Sequence, residues 1–132
     1  MADAFGIAVL VVAALFCLAT TGSAGLNPQR FARQLGLTIA DPGGTNEIRA
    51  QYAGFFLAVA AVCLASLAGA VARSTALVVL AAVFGGLIAG RLVSLALNGG
   101  LTGYGPMIRA LYAIDAIGFA LSITALILAR SG

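Results

Sequence analysis

A small set of polar residues in a strongly apolar chain carries the side chains that could do chemistry. They lie in three groups along the sequence. The first group is Glu47, Arg49 and Tyr52, the second is Arg91, Ser94 and Asn98, and the third is Arg109, Tyr112 and Asp115. The carboxylates of Glu47 and Asp115 could act as a general acid or base. The arginines could bind an anionic group such as a lipid head group.

The composition excludes several kinds of site and of protein. Histidine is absent and only two cysteines are present, so we expect no metal site, no cofactor and no histidine-based catalysis. Cys17 and Cys63 are expected to be reduced and buried. The net charge of +3 comes from dispersed arginines, which argues against nucleic-acid binding. Charged residues make up 8% of the chain, against about 25% in soluble domains, so lipid must cover most of its surface.

Four hydrophobic runs predict an all-α, single-domain membrane protein over residues 1–132. They cover residues 4–21, 48–71, 75–97 and 108–128, and each is close to the roughly 20 residues that a helix needs to cross a hydrocarbon core. The first run lacks the positively charged leader of a signal peptide, so we interpret it as a retained helix. Successive spans joined in this way predict an antiparallel four-helix transmembrane bundle.

The first connection between the spans contains a further predicted helix. Asn27 followed by Pro28 is a helix-start signal, and Phe31 and Leu35 then lie on one face of the helix that follows. Arginine and glutamine side chains occupy the other face. This pattern predicts a short amphipathic helix over residues 28–35 that lies in the membrane interface.

The remaining connections and a glycine pair bear on how the spans pack. The motif "DPGG" predicts a turn, with Thr45 or Asn46 capping the second span. The second connection, at residues 72–74, is so short that it predicts a tight antiparallel hairpin. Gly86 and Gly90 form a GxxxG pair that lets another backbone approach closely. We expect this pair to pack inside the bundle rather than to form a dimer face.

The three polar groups are predicted to meet at one end of the bundle, which we call the polar end. It holds the first connection, the starts of the second and fourth spans, and the end of the third. By helical rise, Arg91 lies about 9 Å inside the third run and Asp115 about 10 Å inside the fourth. An unpaired charge at such a depth is costly. We therefore expect a direct salt bridge between Arg91 and Asp115.

Two interpretations of this polar cluster remain open. In the first, the ion pair and its neighbours lock the register of three helices, and nothing binds there. In the second, they line a water-accessible pocket in which Arg49, Arg91 and Arg109 accept an anionic head group. Glu47 has a simpler explanation as well, because a carboxylate in the first turn of a helix suits the positive end of the helix dipole.

Three short motifs carry a resemblance to known proteins. They are "NEIRAQYAGFF" at residues 46–56, "AGRLVSLALNGG" at residues 89–100, and Asp115 within "YAIDAIG". The motifs resemble the DoxX-like group of small four-helix bacterial membrane proteins, and most closely its DUF4345 branch. The resemblance implies a four-helix membrane fold over nearly the whole chain. It implies no reaction, because the group has no settled activity.

The resemblance extends to individual residues. In that branch the second helix opens with an acidic residue followed by Arg, Tyr and Gly, and the third helix carries a Gly–Arg pair. The matching positions here are Glu47, Arg49, Tyr52, Gly54, Gly90 and Arg91. The branch ends its third helix with Asp–Gly, where this chain has Asn98 and Gly99. The missing carboxylate removes a negative charge and weakens any expectation of metal binding.

These observations favour a small binding or accessory protein of the bacterial inner membrane. Besides membrane lipid, its expected partners are a lipid-like ligand held by the polar cluster, a partner membrane subunit, or further copies of the chain. One alternative is a membrane enzyme acting on a lipid-soluble substrate, with Glu47 or Asp115 as acid or base. A second alternative is an oligomeric transporter or channel. The basic clusters of the resembling proteins imply that both termini are cytoplasmic.

Overall fold

The computed structural model describes residues 2–131 of the chain, and the side chains of residues 3–130, as an assembly of helices. In chain order these are α1 (Ala2–Leu26), α2 (Pro28–Gln34), α3 (Pro42–Ile48), a π-helix (Arg49–Gly54), α4 (Phe55–Leu67), α5 (Arg73–Leu97) and α6 (Pro106–Ser131). The helices α3, π and α4 follow one another directly. They therefore form one continuous helical span.

Four helical spans are long and apolar enough to cross a membrane. They are Asp3–Leu26, Pro42–Leu67, Arg73–Leu97 and Pro106–Arg130. The chain is therefore a multi-pass membrane protein, and the predicted all-α four-helix bundle is confirmed. The first two spans differ most from the hydrophobic runs that predicted them, because both continue into the first connection.

The first span ends shortly before a proline, and not where its hydrophobic run ends. Helix α1 continues past residue 21 to Leu26, because glycine and serine are tolerated in a membrane helix. It stops there because the next residue, Asn27, precedes Pro28, a position that disfavours helical backbone. The Asn27 side chain then accepts a hydrogen bond from the backbone N–H of Arg30 at 3.0 Å. This cap begins α2, the short helix that the sequence predicts.

The second span begins four residues earlier than its predicted cap. Asp41 accepts a hydrogen bond from the backbone N–H of Gly44 at 2.9 Å, and Pro42 occupies the first helical position. A capping aspartate followed by proline is a strong start signal for a helix. The predicted cap at Thr45 or Asn46 is therefore wrong, and the "DPGG" motif begins a helix instead of forming only a turn.

The core of the bundle lies where α1, α4 and α5 meet. Leu10, Leu77 and Leu80 are fully buried there. Cys17 and Cys63 are also buried and free, as predicted. A second, smaller core at the polar end holds α2 against the bundle, through Ala24, Phe31, Ala32 and Ile48.

Helices α5 and α6 pack through two phenylalanine rings, each of which lies against a glycine of the other helix. A methyl group on Gly118 would lie 2.8 Å from ring carbons of Phe84. One on Gly85 would lie 3.0 Å from the ring of Phe119. Each phenylalanine therefore packs against helix surface that only glycine leaves free. This contact sets how closely α5 and α6 approach.

The GxxxG pair does not take part in such packing. Methyl groups added to Gly86 and Gly90 would meet no atom within 4 Å. The prediction that this pair packs inside the bundle is therefore wrong. The two glycines instead border open space on the surface of α5, in the groove described below.

We expect Gly118→Ala to destabilise the protein, because the added methyl group collides with the Phe84 ring. Overpacking of this kind typically costs about 1–3 kcal/mol. The matched control is Gly22→Ala in α1, where the added methyl group meets no atom within 4 Å. The free energy of unfolding, measured by detergent titration in mixed micelles, should fall for Gly118→Ala alone. Equal effects of the two substitutions would contradict the close approach.

Candidate functional site

The centre of the site is an ion pair between α5 and α6. Arg91 Nε donates a hydrogen bond to Asp115 Oδ2, and the Asp115 side chain is only 2% exposed. The guanidinium carbon of Arg91 lies 5.7 Å from the ring centre of Tyr112, and the Tyr112 hydroxyl donates to the backbone carbonyl of Arg91 at 2.8 Å. The predicted salt bridge is therefore present. It is reinforced by a cation–π contact and a backbone hydrogen bond.

The pairing uses only one of the three nitrogens of the Arg91 guanidinium. Within residues 2–131, neither terminal nitrogen, Nη1 or Nη2, has a hydrogen-bond acceptor. Both nitrogens are accessible from the surface. In the described chain, the one fully buried side-chain polar atom without a partner is Ser66 Oγ, so neither Nη1 nor Nη2 is fully buried. Arg91 thus keeps a planar pair of donors available while its Nε is fixed by Asp115.

Arg91 lines an open groove of about 500 Å³ at the polar end. We call it the Arg91 groove. Its lining residues are Leu35, Tyr52, Gly86, Leu87, Gly90, Arg91, Ser94, Tyr104, Ile108 and Tyr112. The side chains come from the end of α2, the π-helix, α5, the last connection and the start of α6. Gly86 and Gly90 contribute no side chain, so the groove reaches the α5 backbone between them.

A smaller and less open cavity of about 130 Å³, which we call the enclosed cavity, adjoins the ion pair. Arg91 and Tyr52 line both the cavity and the groove, whereas Asp115 lines the cavity. Phe16 and Phe31 contribute to the cavity wall and make it largely apolar. Arg91 therefore stands between a closed interior space and an open one.

Tyr52 reaches both spaces from the π-helix. The segment Arg49–Gly54 has the wider turn of a π-helix, a feature that is frequent at functional sites. The Tyr52 ring packs against Phe31 of α2, with 5.0 Å between ring centres. The irregular turn thus coincides with the point where the second span meets both α2 and the groove.

A second polar group lies on the groove wall and includes a residue that the sequence analysis missed. Ser94 Oγ and the Tyr104 hydroxyl are 2.9 Å apart, and Asn98 Nδ2 donates to the Tyr104 hydroxyl at 2.7 Å and to Ser94 Oγ at 3.3 Å. The Tyr104 ring stacks on Tyr112, with 6.1 Å between centres. Hydrogen bonds with Ser94 and then with Asn98 lower the pKa of the Tyr104 phenol below its ordinary value. Its one signal in the sequence was a lone aromatic residue in a glycine-rich connection.

The other two candidate arginines lie outside the Arg91 groove. Arg49 Nε donates to the carbonyl of Gly25 at 3.3 Å, near the end of α1. Arg109 donates to two carbonyls of the last connection, from Nε to Tyr104 at 3.0 Å and from Nη2 to Leu101 at 3.4 Å. The anion site with three arginines is therefore not formed. One arginine lines the groove, and the other two hold connections against helices.

The carboxylates are also separated by the fold. Glu47 is exposed and lines neither the groove nor the enclosed cavity, whereas Asp115 is buried in its ion pair. Among the described residues, no group of three His, Cys, Asp or Glu side chains is placed to hold a metal ion. The groove thus offers hydrogen-bond donors and hydroxyl groups rather than an acid–base pair.

A comparison with protein families finds one family model that matches most of the chain. A family model described as "Domain of unknown function (DUF4345)" matches residues 7–126. The matched region contains every residue that lines the groove and the enclosed cavity. No curated protein and no solved structure matches the chain.

We expect Arg91→Gln and Asp115→Asn each to destabilise the protein strongly, because each strands the charge that remains. Breaking a buried pair typically costs about 3–5 kcal/mol. The double variant carries no stranded charge and should recover part of that loss. Detergent titration of the four proteins gives the coupling energy between the two sites.

The control for this comparison is the ion pair between Asp3 and Arg73 at the opposite end, where the Asp3 side chain is 87% exposed. Asp3→Asn should have little effect, since exposed ion pairs contribute little. Additive losses in the Arg91 and Asp115 variants, with no recovery in the double variant, would contradict the burial argument.

Proposed function

The chain belongs to the DUF4345 family, and we propose that it binds an amphiphile whose anionic head group occupies the Arg91 groove. The observation that carries this proposal is that the nitrogens of the Arg91 guanidinium have two different roles. Asp115 fixes Nε, whereas Nη1 and Nη2 have no protein acceptor among the described residues, and Arg91 lines the groove. We also propose that the chain is a member of the DoxX-like group and that it lies in the bacterial inner membrane.

The chemistry of the guanidinium favours an oxyanion as the occupant. Its two terminal nitrogens lie in one plane and match the spacing of two oxygens of a carboxylate, phosphate or sulfonate. Asp115 already balances the charge of Arg91, so binding depends on directional hydrogen bonds more than on net charge. Water is scarce at this depth, so an unfilled donor pair gains more from a ligand than it would at an aqueous surface.

The shape of the groove favours a ligand that arrives from the bilayer. Gly86 lies about 7.5 Å deeper than Arg91 along α5, by helical rise. Between these positions the missing side chains of Gly86 and Gly90 leave space beside Leu87. A head group on Arg91 can therefore be joined to a hydrocarbon tail that extends toward the membrane interior. This arrangement is what an amphiphile requires.

The alternatives receive less support from the geometry. An enzyme that used Glu47 would need that carboxylate at the groove, but Glu47 is exposed elsewhere. Asp115 is occupied by its ion pair with Arg91, which holds its charge in place. The enclosed cavity of about 130 Å³ is too small to form a conduction path by itself. A partner subunit or a second copy of the chain could cover the Arg91 groove, and the experiment below distinguishes a small ligand from such a partner.

We expect dodecyl phosphate to bind protein reconstituted in phosphatidylcholine nanodiscs, and dodecanol, which lacks the anion, not to bind. Binding to the folded protein raises the unfolding temperature, and the rise grows with the ratio of ligand concentration to Kd. Arg91→Lys keeps a cation beside Asp115 but lacks the planar donor pair, so it should weaken binding by about tenfold or more. Gly90→Leu should weaken it as well, because Gly90 lines the groove and an added Cβ meets no atom within 4 Å, so the new side chain would occupy groove space.

Arg30→Lys is the matched control, since Arg30 is exposed at the same end of the bundle and does not line the groove. It should bind dodecyl phosphate as the unchanged protein does. Equal binding of dodecanol, or full binding by Arg91→Lys, would contradict the proposed head-group site. A groove that binds neither amphiphile but mediates a stable oligomer would point to the protein-partner alternative.

The proposed orientation places both termini in the cytoplasm and the polar end on the outer side of the inner membrane. We expect Thr38→Cys, in the exposed first connection, to react with a membrane-impermeant maleimide in intact cells. Ser74→Cys, at the opposite end, should react only after the membrane is permeabilised. Background labelling is low because Cys17 and Cys63 are buried. The reverse labelling pattern would contradict this orientation.

A further inference from the structure

We propose that Tyr104 is the second head-group contact in the Arg91 groove and that it selects a tetrahedral oxyanion, a phosphate or sulfonate, over a planar carboxylate. This inference rests on the proposed function, since it assigns the class of head group that the same groove accepts. It is carried by three observations. These are the hydrogen bonds among Ser94, Asn98 and Tyr104, the way the last connection is held, and the position of Tyr104 relative to Arg91.

The hydrogen bonds of the polar group on the groove wall leave one hydroxyl hydrogen unused. Asn98 Nδ2 donates its two hydrogens, one to the Tyr104 hydroxyl and one to Ser94 Oγ. The two hydroxyl groups are 2.9 Å apart and share one hydrogen between them. Together they own two hydrogens, so one remains. When Ser94 is the donor to Tyr104, the remaining hydrogen lies on the Tyr104 hydroxyl, at the wall of the groove.

Tyr104 is held in place by contacts that do not involve its hydroxyl. Its ring stacks on Tyr112, and its backbone carbonyl accepts a hydrogen bond from Arg109 Nε at 3.0 Å. Gly103, directly before it, has a φ of +84°, a conformation that favours glycine and turns the chain toward α5. The connection therefore presents the hydroxyl of Tyr104 to the groove in a defined position. A ligand does not need to order it.

The positions of Arg91 and Tyr104 distinguish between head groups. Arg91 and Ser94 are three residues apart on α5, which places their Cβ atoms about 5–6 Å from each other. Tyr104 contacts Ser94 and stacks on Tyr112, the ring that also contacts the Arg91 guanidinium, and all four residues line the groove. A carboxylate bound to Nη1 and Nη2 of Arg91 has both its oxygens in the plane of the guanidinium. A phosphate or sulfonate has a further oxygen pointing out of that plane, which the Tyr104 hydroxyl can bind.

The test compares dissociation constants for dodecyl phosphate, dodecyl sulfonate and dodecanoate in phosphatidylcholine nanodiscs. Tyr104→Phe keeps the ring on Tyr112 but lacks the hydroxyl. It should weaken phosphate and sulfonate binding by about tenfold, as expected for the loss of a hydrogen bond to a charged group, and leave dodecanoate binding unchanged. Thr102→Val, an exposed residue of the same connection that does not line the groove, is the matched control.

A second variant distinguishes the role of Tyr104 as donor from that of Ser94. In Ser94→Ala the Tyr104 hydroxyl still accepts from Asn98 and is free to donate to the ligand, so sulfonate binding should be retained. If Ser94→Ala lost the preference for tetrahedral head groups and Tyr104→Phe kept it, Ser94 would be the donor and the assignment to Tyr104 would be overturned. Retention of that preference in both variants would overturn it as well.

The dependence of binding on pH provides an independent readout. Dodecyl sulfonate keeps the same charge across the pH range, whereas ionised Tyr104 can no longer donate a hydrogen bond. Because its contacts with Ser94 and Asn98 lower the pKa of Tyr104, sulfonate binding should be complete below that pKa and should weaken as the pH rises through it. Tyr112, Arg91 and Arg109 also face Tyr104, so the comparison must be made with Tyr104→Phe. In that variant this alkaline loss should disappear.

The inference and the proposed function fail in different ways. If Arg91→Lys weakens the binding of all three amphiphiles but Tyr104→Phe changes nothing, the head-group site stands and the role of Tyr104 is overturned. If Arg91→Lys has no effect on any of them, the proposed function itself fails.

Discussion

The polar end of the bundle depends on one buried interaction, the ion pair between Arg91 and Asp115. A charge at this depth is tolerated only with a partner, and the partner is on the neighbouring helix. The pair therefore fixes the rotation and the relative height of α5 and α6. The packing of the Phe84 and Phe119 rings against glycines of the facing helix sets the distance between the same two helices. With both fixed, Tyr112 is placed beneath the Arg91 guanidinium and the groove takes its shape.

The pair also shows that the structural and binding interpretations of the sequence are compatible. A guanidinium has three nitrogens that point in different directions. Asp115 engages Nε on the inner side, which satisfies the requirement for a partner. The remaining two nitrogens are thereby held in place without a protein acceptor among the described residues, on a side chain that lines the groove. A structural lock of this kind orients a binding group in advance, so that a ligand loses less freedom when it binds.

Features that depend on helical length and phase were predictable from the sequence. The four spans follow from runs of apolar residues, and the pairing of Arg91 with Asp115 follows from their equal depth. Features that depend on long side chains and irregular connections were not. Arg49 and Arg109 share helix faces with groove residues, yet both reach back to backbone carbonyls. Tyr104 has no helical phase at all, because its position is set by contacts with Ser94, Asn98 and Tyr112.

The use of arginine at this end follows from the chemistry of helix ends in a membrane. The last carbonyls of a helix and those of a connection lack partners within the helix, and little water is present to bind them. Arg49 donates to such a carbonyl at Gly25, and Arg109 to those of Leu101 and Tyr104. Arg109 uses two of its nitrogens in this way, whereas Arg49 uses Nε alone. Arg91 differs because its Nε is held by a carboxylate and because it lines the groove. Its Nη1 and Nη2, which have no acceptor among the described residues, are therefore able to bind a ligand there.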